Sequence, residues 1–528
     1  MPASRAGRWA LVFLALAAAY ECFECARWSN TTFYIDKDLQ IIAAQSLVDG
    51  RGLTLPHADP VDLSRSLETP MAIWPPGYSL LIAPLLAALE DPVQAAAALE
   101  IVMAIAFYAV AWMLLRRFPI DDRIRLAICA VWAVIGSPLS KMGPSDMLAF
   151  TLFTGALVCG ARSADTRGKP WLANICAAVL LSLAAMTRFA YWPLLPTVLV
   201  GLIWLIWQGR SELKKQAWVH LATLVVAGGS IALYQSLATR HTTYLTTIYA
   251  PEDVGFFPEQ LWRVIPFPVA MLGLFEPYRN LRDGLLLSPA IDGLAVAALW
   301  LASAALIWLV LRQATALFKS GSVSLLFASG SFAGLTTVAM LLFLTVRYRM
   351  LTTLPFVDGW VHAQELRYYA PTAWVILLAL GLWMTKVSST WSARRLRGAI
   401  GVALLVGLGP FAIRARRIVV ELRPGVPNSY ETRWRADWLV VRERVRSLTE
   451  LGDKVVYMDP DAQRRRFAGL SGAMMADPKE LTSGLTAIEP VTLLAALPTG
   501  DAELDRVVMA RGARAGQLGD AELWLVSL

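Results

Sequence analysis

Long apolar runs recur through this chain, at about 8–26, 93–115, 124–142, 146–161, 171–187, 189–207, 217–236, 290–311, 323–345, 370–385 and 399–413. A helix rising about 1.5 Å per residue needs roughly 20 apolar residues to cross a hydrocarbon layer of about 30 Å. The pattern therefore predicts about eleven transmembrane helices. Composition agrees with this: of 528 residues, 56% are hydrophobic and only 17% charged, too few polar side chains to clothe a soluble protein of this size.

The formal charge of +8 would suit a nucleic-acid partner if it were concentrated on one domain, so its location matters. Residues 415–528 hold 16 basic and 16 acidic residues, a balance of zero, so the whole excess lies in the membrane part. There, 18 of the remaining 32 Lys and Arg fall in 1–9, 115–125, 162–170, 208–216, 312–320 and 386–398. Those segments are expected on the cytoplasmic side. The first run opens on Arg5 and Arg8 and is followed by Glu21-Cys22-Phe23-Glu24 in place of a small-residue cleavage site. It reads as a retained first spanning helix rather than a cleaved signal.

With the start inside, two long loops face outward, 27–92 and 237–289. Both exceed what a connector needs. Within the first, Trp74-Pro75-Pro76-Gly77 opens a half-length apolar stretch, Ser79 to Leu89, which reads as a short interfacial helix. An odd number of spans puts residues 415–528 outside as well, although Arg414, Arg416 and Arg417 there run against the charge rule. That tail pairs an amphipathic helical pattern, Ala436 to Leu451, with strand-like Lys454 to Met458 and Leu523 to Leu528. The expected architecture is an all-α polytopic membrane domain over 1–414, with a small α/β accessory domain over 415–528.

The five cysteines sit in apolar runs, and Cys22 and Cys25 at CxxC spacing put two small apolar side chains on one helix face. Neither a disulfide scaffold nor a redox pair is expected. His57, His241 and His362 share no metal-ligand spacing, so no metal site is assigned.

The densest polar signal outside is Phe33-Tyr-Ile-Asp36-Lys37-Asp38, leading into an amphipathic helical stretch that ends near Gly50. Asp36 suits the helix cap and Asp38 the first turn, where acids complement orphan amides and the helix dipole. Capping alone accounts for both residues; the other reading is a general base. Asp146, in Gly143-Pro-Ser-Asp146, opens the fourth apolar run at its outer end with Ser145 as the rival cap. Arg188 lies at the outer junction of the fifth and sixth runs. Charges at such depths are costly unless they pair or function. Glu21 and Glu24, inside an apolar run, are expected to line a cavity.

In their order and sidedness these motifs resemble the GT-C superfamily of integral-membrane glycosyltransferases, notably the lipid A aminoarabinose transferases and protein O-mannosyltransferases. The resemblance covers roughly 8–385 and rests on Asp36, Ala44, Gly50 and Pro75-Pro76-Gly77-Tyr78, on Asp146, on Thr187-Arg188, and on Arg367-Tyr368-Tyr369 with Pro371. It departs where the family carries a second, adjacent acid, since that position is Lys37 here and the next carboxylate is Asp38. The resemblance implies inverting sugar transfer from a polyprenyl-phosphate donor to a glycan, lipid or protein acceptor at the outer face of a bacterial inner membrane. Asp36, with Asp38 and Asp146, would serve catalysis. Arg188, Arg347, Arg349, Arg367 and Tyr368 would hold the donor phosphate, and Tyr78 would line the cavity with Glu21 and Glu24. No cofactor is required on this reading, and nothing in the sequence calls for a divalent metal. A transporter or flippase of an envelope precursor, or a non-catalytic envelope scaffold, would also place charges at these depths.

Overall fold

The computed structural model describes residues 5–28, 35–71, 74–89, 91–129, 144–163, 170–192, 194–208, 211–239, 366–388, 430–481 and 485–528, with short pieces near 255–312 and 392–401. The predicted spans at 323–345 and most of 399–413, like Arg347 and Arg349, lie outside the described residues. The chain forms two compact units. One comprises Met1–Phe23 and Val102–Val419, the other Glu24–Ile101 and Val420–Leu528.

The helices of the first unit follow the apolar runs. They are α1 (Arg5–Trp28), the later part of α4 (Pro92–Leu115), α5 (Pro144–Ser163), α6 (Pro170–Thr187), α7 (Leu194–Gln208), α8 (Ser211–Thr239) and α9 (Leu366–Ser388), with a further helical run over 122–129. Among the described residues four windows are long and apolar enough to cross a membrane: Ala6–Phe23, Pro92–Leu115, Pro170–Thr187 and Ala217–Tyr234. Their packing fits a lipid environment, where helices associate through small residues that let backbones approach. Ala10, Leu14 and Ala17 recur on one face of α1, and Ala177, Ala178, Ala184 and Ala185 of α6 are buried. Trp9, Leu11 and Leu16 of α1 point outward and stay exposed.

The second unit is built on a seven-stranded sheet drawn from distant parts of the chain. From the first loop come α2 (Ile35–Val48), the hairpin β1 (Thr54–Ala58) and β2 (Ser66–Pro70), and α3 (Gly77–Leu89). From the tail come α10 (Tyr430–Glu450), β3 (Val455–Met458), α11 (Ala462–Leu470), β4 (Met474–Ala476), β5 (Thr492–Leu497), α12 (Ala502–Arg511), β6 (Ala513–Leu518) and β7 (Ala521–Ser527). The strand order is β2-β1-β4-β3-β5-β7-β6. β4, β3 and β5 run parallel, and their near-continuous buried residues are what parallel strands covered on both faces require.

Parallel pairing of β1 with β4, His57 opposite Met475, brings the first-loop hairpin into the tail's sheet. Loop residues 24–101 and the tail from 420 thus fall in one compact unit, with Ala58 and Leu63 of the loop in the same buried cluster as tail residues. The predicted tail helix, the strand at 454–458 and the final strand are all present, and so is the short helix after Pro76. A buried guanidinium pins the tail elements together: Arg464 of α11 meets Asp437 of α10 at 3.1 Å, Asp520 of the β6–β7 turn at 3.1 Å and Asp459 after β3 at 3.8 Å.

Candidate active site

Helix α2 begins at Ile35, one residue before the acid expected to cap it, so Asp36 belongs to the first helical turn. The two residues that follow are fixed by buried partners. Lys37 Nζ lies 2.6 Å from Glu100 Oε1 of α4, both side chains almost fully buried. Asp38 is completely buried and accepts a hydrogen bond from Gln463 Nε2 of α11 at 2.9 Å, with Arg466 Nε 3.5 Å away. Arg466 also donates to Gln463 Oε1, which closes a small network around the carboxylate. Ser79 of α3 donates to the Gln40 carbonyl at 2.7 Å and holds the next turn of α2. The start of α2 is thus clamped by α3, α4 and α11, each contact satisfying a polar group that would be costly to bury alone.

Burial pushes the Asp38 carboxyl up to about 7, against the opposing effects of the Arg466 charge, the Gln463 hydrogen bond and Lys37. The same burial lowers the Arg466 guanidinium from its usual range, partly countered by Asp38. Because the folded value for Asp38 lies above the unfolded value of 3.8, the folded state holds this proton more tightly. The contribution of Asp38 to stability therefore falls as pH rises from about 4 towards 7 and levels off above. Asp38→Asn removes that titration. Its stability relative to wild type should rise by a few kcal/mol between pH 4 and pH 8, at about 1.4 kcal/mol per pKa unit. Thermal-shift curves of both proteins at the two pH values check this, and a constant difference would contradict the burial of an ionisable Asp38.

In the other unit, α5 starts at Pro144, so Asp146 occupies the first turn rather than the cap. Arg188 follows the last residue of α6 and precedes a 3-10 turn, Phe189–Tyr191. Arg188 Nε lies 2.7 Å from Asp146 Oδ1, with 6% and 1% of the two side chains exposed. Each charge also meets the favourable end of a helix dipole, the acid at an N-terminus and the base beyond a C-terminus. Two residues singled out 42 positions apart in sequence are thus one buried ion pair.

Glu21 and Tyr78, expected to line a cavity, are buried, Glu21 in α1 and Tyr78 in the first turn of α3. Arg367 and Tyr368 fall in the first turn of α9. The side chains of Asp36, Glu24, Arg367 and Tyr368 lie outside the described atoms. Among the described residues no three His, Cys, Asp or Glu side chains gather as a metal site. Sequence reasoning did not single out Glu100, Gln463 or Arg466. Glu100 had left a signal, as a lone acid within an apolar run; the other two belong to an ordinary amphipathic helix.

No protein-family model and no curated protein sequence matches this chain. The fold does match. The structure of ArnT from Cupriavidus metallidurans bound to undecaprenyl phosphate superposes with a TM-score of 0.53 at 12% identity, covering 98% of each chain. This chain has the fold of the GT-C glycosyltransferases. Two more distant GT-C structures were also found. The oligosaccharyltransferase AglB from Archaeoglobus fulgidus, in complex with an inhibitory peptide and a dolichol-phosphate, matches at TM-score 0.46 and 12% identity, over 90% of this chain and 65% of AglB. The mycobacterial arabinofuranosyltransferase AftD matches at 0.47 and 13%, over 97% of this chain and 40% of AftD. In the chain, α2 is the next described helix after α1, and Asp36 is its second residue.

Proposed function

We propose that this chain is an inverting glycosyltransferase that moves a sugar from a polyprenyl-phosphate donor to an acceptor hydroxyl at the outer face of the membrane. The observation that carries the reading is the clamped start of α2. In a chain with the GT-C fold, the acid of the first turn is followed by two residues fixed on different neighbours, Lys37 on Glu100 and Asp38 on Gln463. Such preorganisation suits a general base that must meet its proton in one geometry. ArnT in complex with undecaprenyl phosphate supplies the donor class by analogy.

On this reading Asp36 accepts the proton of the acceptor hydroxyl as its oxygen bonds to the anomeric carbon. The bond from that carbon to the phosphate oxygen breaks on the opposite side, which inverts the centre and releases polyprenyl phosphate. Arg188 and Arg367, with Arg347 and Arg349, offset the charge of the leaving phosphate, and Tyr368 donates a hydrogen bond to it. Asp146, paired with Arg188 at 2.7 Å, is assigned the stabilising of positive charge on the sugar. Asp38 acts as a positioning residue, since its burial and its hydrogen bond to α11 tie it to the scaffold.

The test uses membranes of a host lacking the gene, with and without the chain restored, supplied with polyprenyl-phosphate-linked radiolabelled sugars made by that host. Label should move from lipid to an envelope glycan, lipid or protein only where the chain is present. Label crossing the bilayer while still on the lipid would replace the transferase with a flippase.

A further inference from the structure

A cavity of about 680 Å³ lies within the sheet-bearing unit, inside the range of about 300–1,000 Å³ usual for small-molecule sites. It opens at the end of α2 remote from Asp36. Ten residues separate Asp36 from Ser46, about 15 Å of helix rise. Its walls come from the last turns of α2, the β1–β2 hairpin, the end of α3 and the tail residues around β3 and β4.

The charge on those walls limits what can bind. Carboxylates of Asp49, Glu68 and Asp453 face the cations of Arg51 and Lys454, one negative charge in excess. Both cations are already engaged. Arg51 bridges Asp49 at 2.8 Å and Glu68 at 3.0 Å, while Lys454 donates to the Ser64 carbonyl and lies 3.9 Å from Glu489. A phosphate or an acidic sugar would meet net repulsion. What the walls offer instead is a hydroxyl, which can donate or accept, and an amide oxygen, which accepts. Ser46 is fully buried, and among the described residues its hydroxyl has no hydrogen-bond partner; the amide oxygen of Gln45 likewise has none. Buried polar atoms of this kind ordinarily find a partner. Ile42, Leu86 and Met474 supply apolar surface beside them. Neutral, donor-rich hydroxyls on a framework with C–H faces answer both demands.

We infer that this cavity binds a segment of a neutral glycan, the part of the acceptor distant from its reacting hydroxyl. Calling the ligand the acceptor rests on the transferase reading; the binding itself does not.

The experiment measures retention of fluorescently labelled oligosaccharides, released from the host's own envelope and separated into neutral and acidic fractions, on the full chain in lipid nanodiscs. Wild type and Asp36→Asn should both retain neutral oligosaccharides. Ser46→Trp, which fills the wall, and Ala87→Trp, on the exposed face of α3 at the rim, should each lower retention at least tenfold. The rim variant keeps the test valid where the buried one fails to fold. Retention of the acidic fraction instead, no retention at all, or retention unchanged by Ala87→Trp in a folded protein would overturn the site. Neutral retention by a chain that transfers no sugar would leave the site standing and remove the transferase reading.

Discussion

Asp36→Asn is expected to lower sugar transfer by at least about 10²-fold, the lower end of what a positioned general base contributes. The substitution keeps the size and most of the hydrogen-bonding capacity of the side chain but can no longer take a proton at neutral pH. It also leaves intact the contacts that fold α2, because Lys37 to Glu100, Asp38 to Gln463 and Ser79 to the Gln40 carbonyl involve other residues. Its thermal stability should therefore stay near wild type, with at most about 1 kcal/mol lost from the helix dipole. The comparison with Asp38→Asn is decisive. An asparagine at 38 can still accept from Gln463, so transfer should survive there, and the assay is label moved from polyprenyl-phosphate sugar to acceptor by the two purified variants. Full activity with Asp36→Asn, or loss confined to Asp38→Asn, would transfer the base to Asp38.

The second large effect is expected at the Asp146–Arg188 pair. With both side chains almost fully buried at 2.7 Å, each charge offsets part of the desolvation of the other. Arg188→Met alone strands a buried carboxylate and should cost about 3–5 kcal/mol. Asp146→Leu alone strands the guanidinium with a similar penalty. The double variant removes both charges together and should recover most of that stability, since apolar replacement of a whole buried pair is often neutral or better. Transfer should not recover with it, because the proposed functions of both groups have gone. Thermal unfolding of the three proteins measures the first part and label transfer the second. A double variant as unstable as the two singles combined would show that the charges are stabilised separately, by other neighbours.

Much of the helical framework was legible because its signal is local. An apolar run of spanning length, a Pro-Pro-Gly opening and an acid ahead of an amphipathic repeat each declare themselves within twenty residues, and α1, α3, α4, α6 and α9 all lie where such runs predicted helices. In the tail, the apolar run at 454–458 and the final run at 523–528 became β3 and β7 for the same reason. The hairpin was different. Thr54–Ala58 and Ser66–Pro70 carry a proline in each strand and no sustained alternation, so neither reads as a strand until a sheet edge is offered to it.

The sequence by itself determined that this chain builds apolar helices of spanning length, that an acid lies in the first turn of the helix after the first apolar run, and that the tail alternates strand and helix. Only the tertiary structure decided that loop and tail form one sheet through His57 and Met475, that Lys37 and Asp38 are held by Glu100 and Gln463, and that Asp146 and Arg188 form a buried ion pair. The reason is physical. Periodicity records which face of an element is apolar, a property of neighbouring residues. The partner of a buried charge is chosen by whichever element packs against it, and for Asp38 that element lies 425 residues further along the chain.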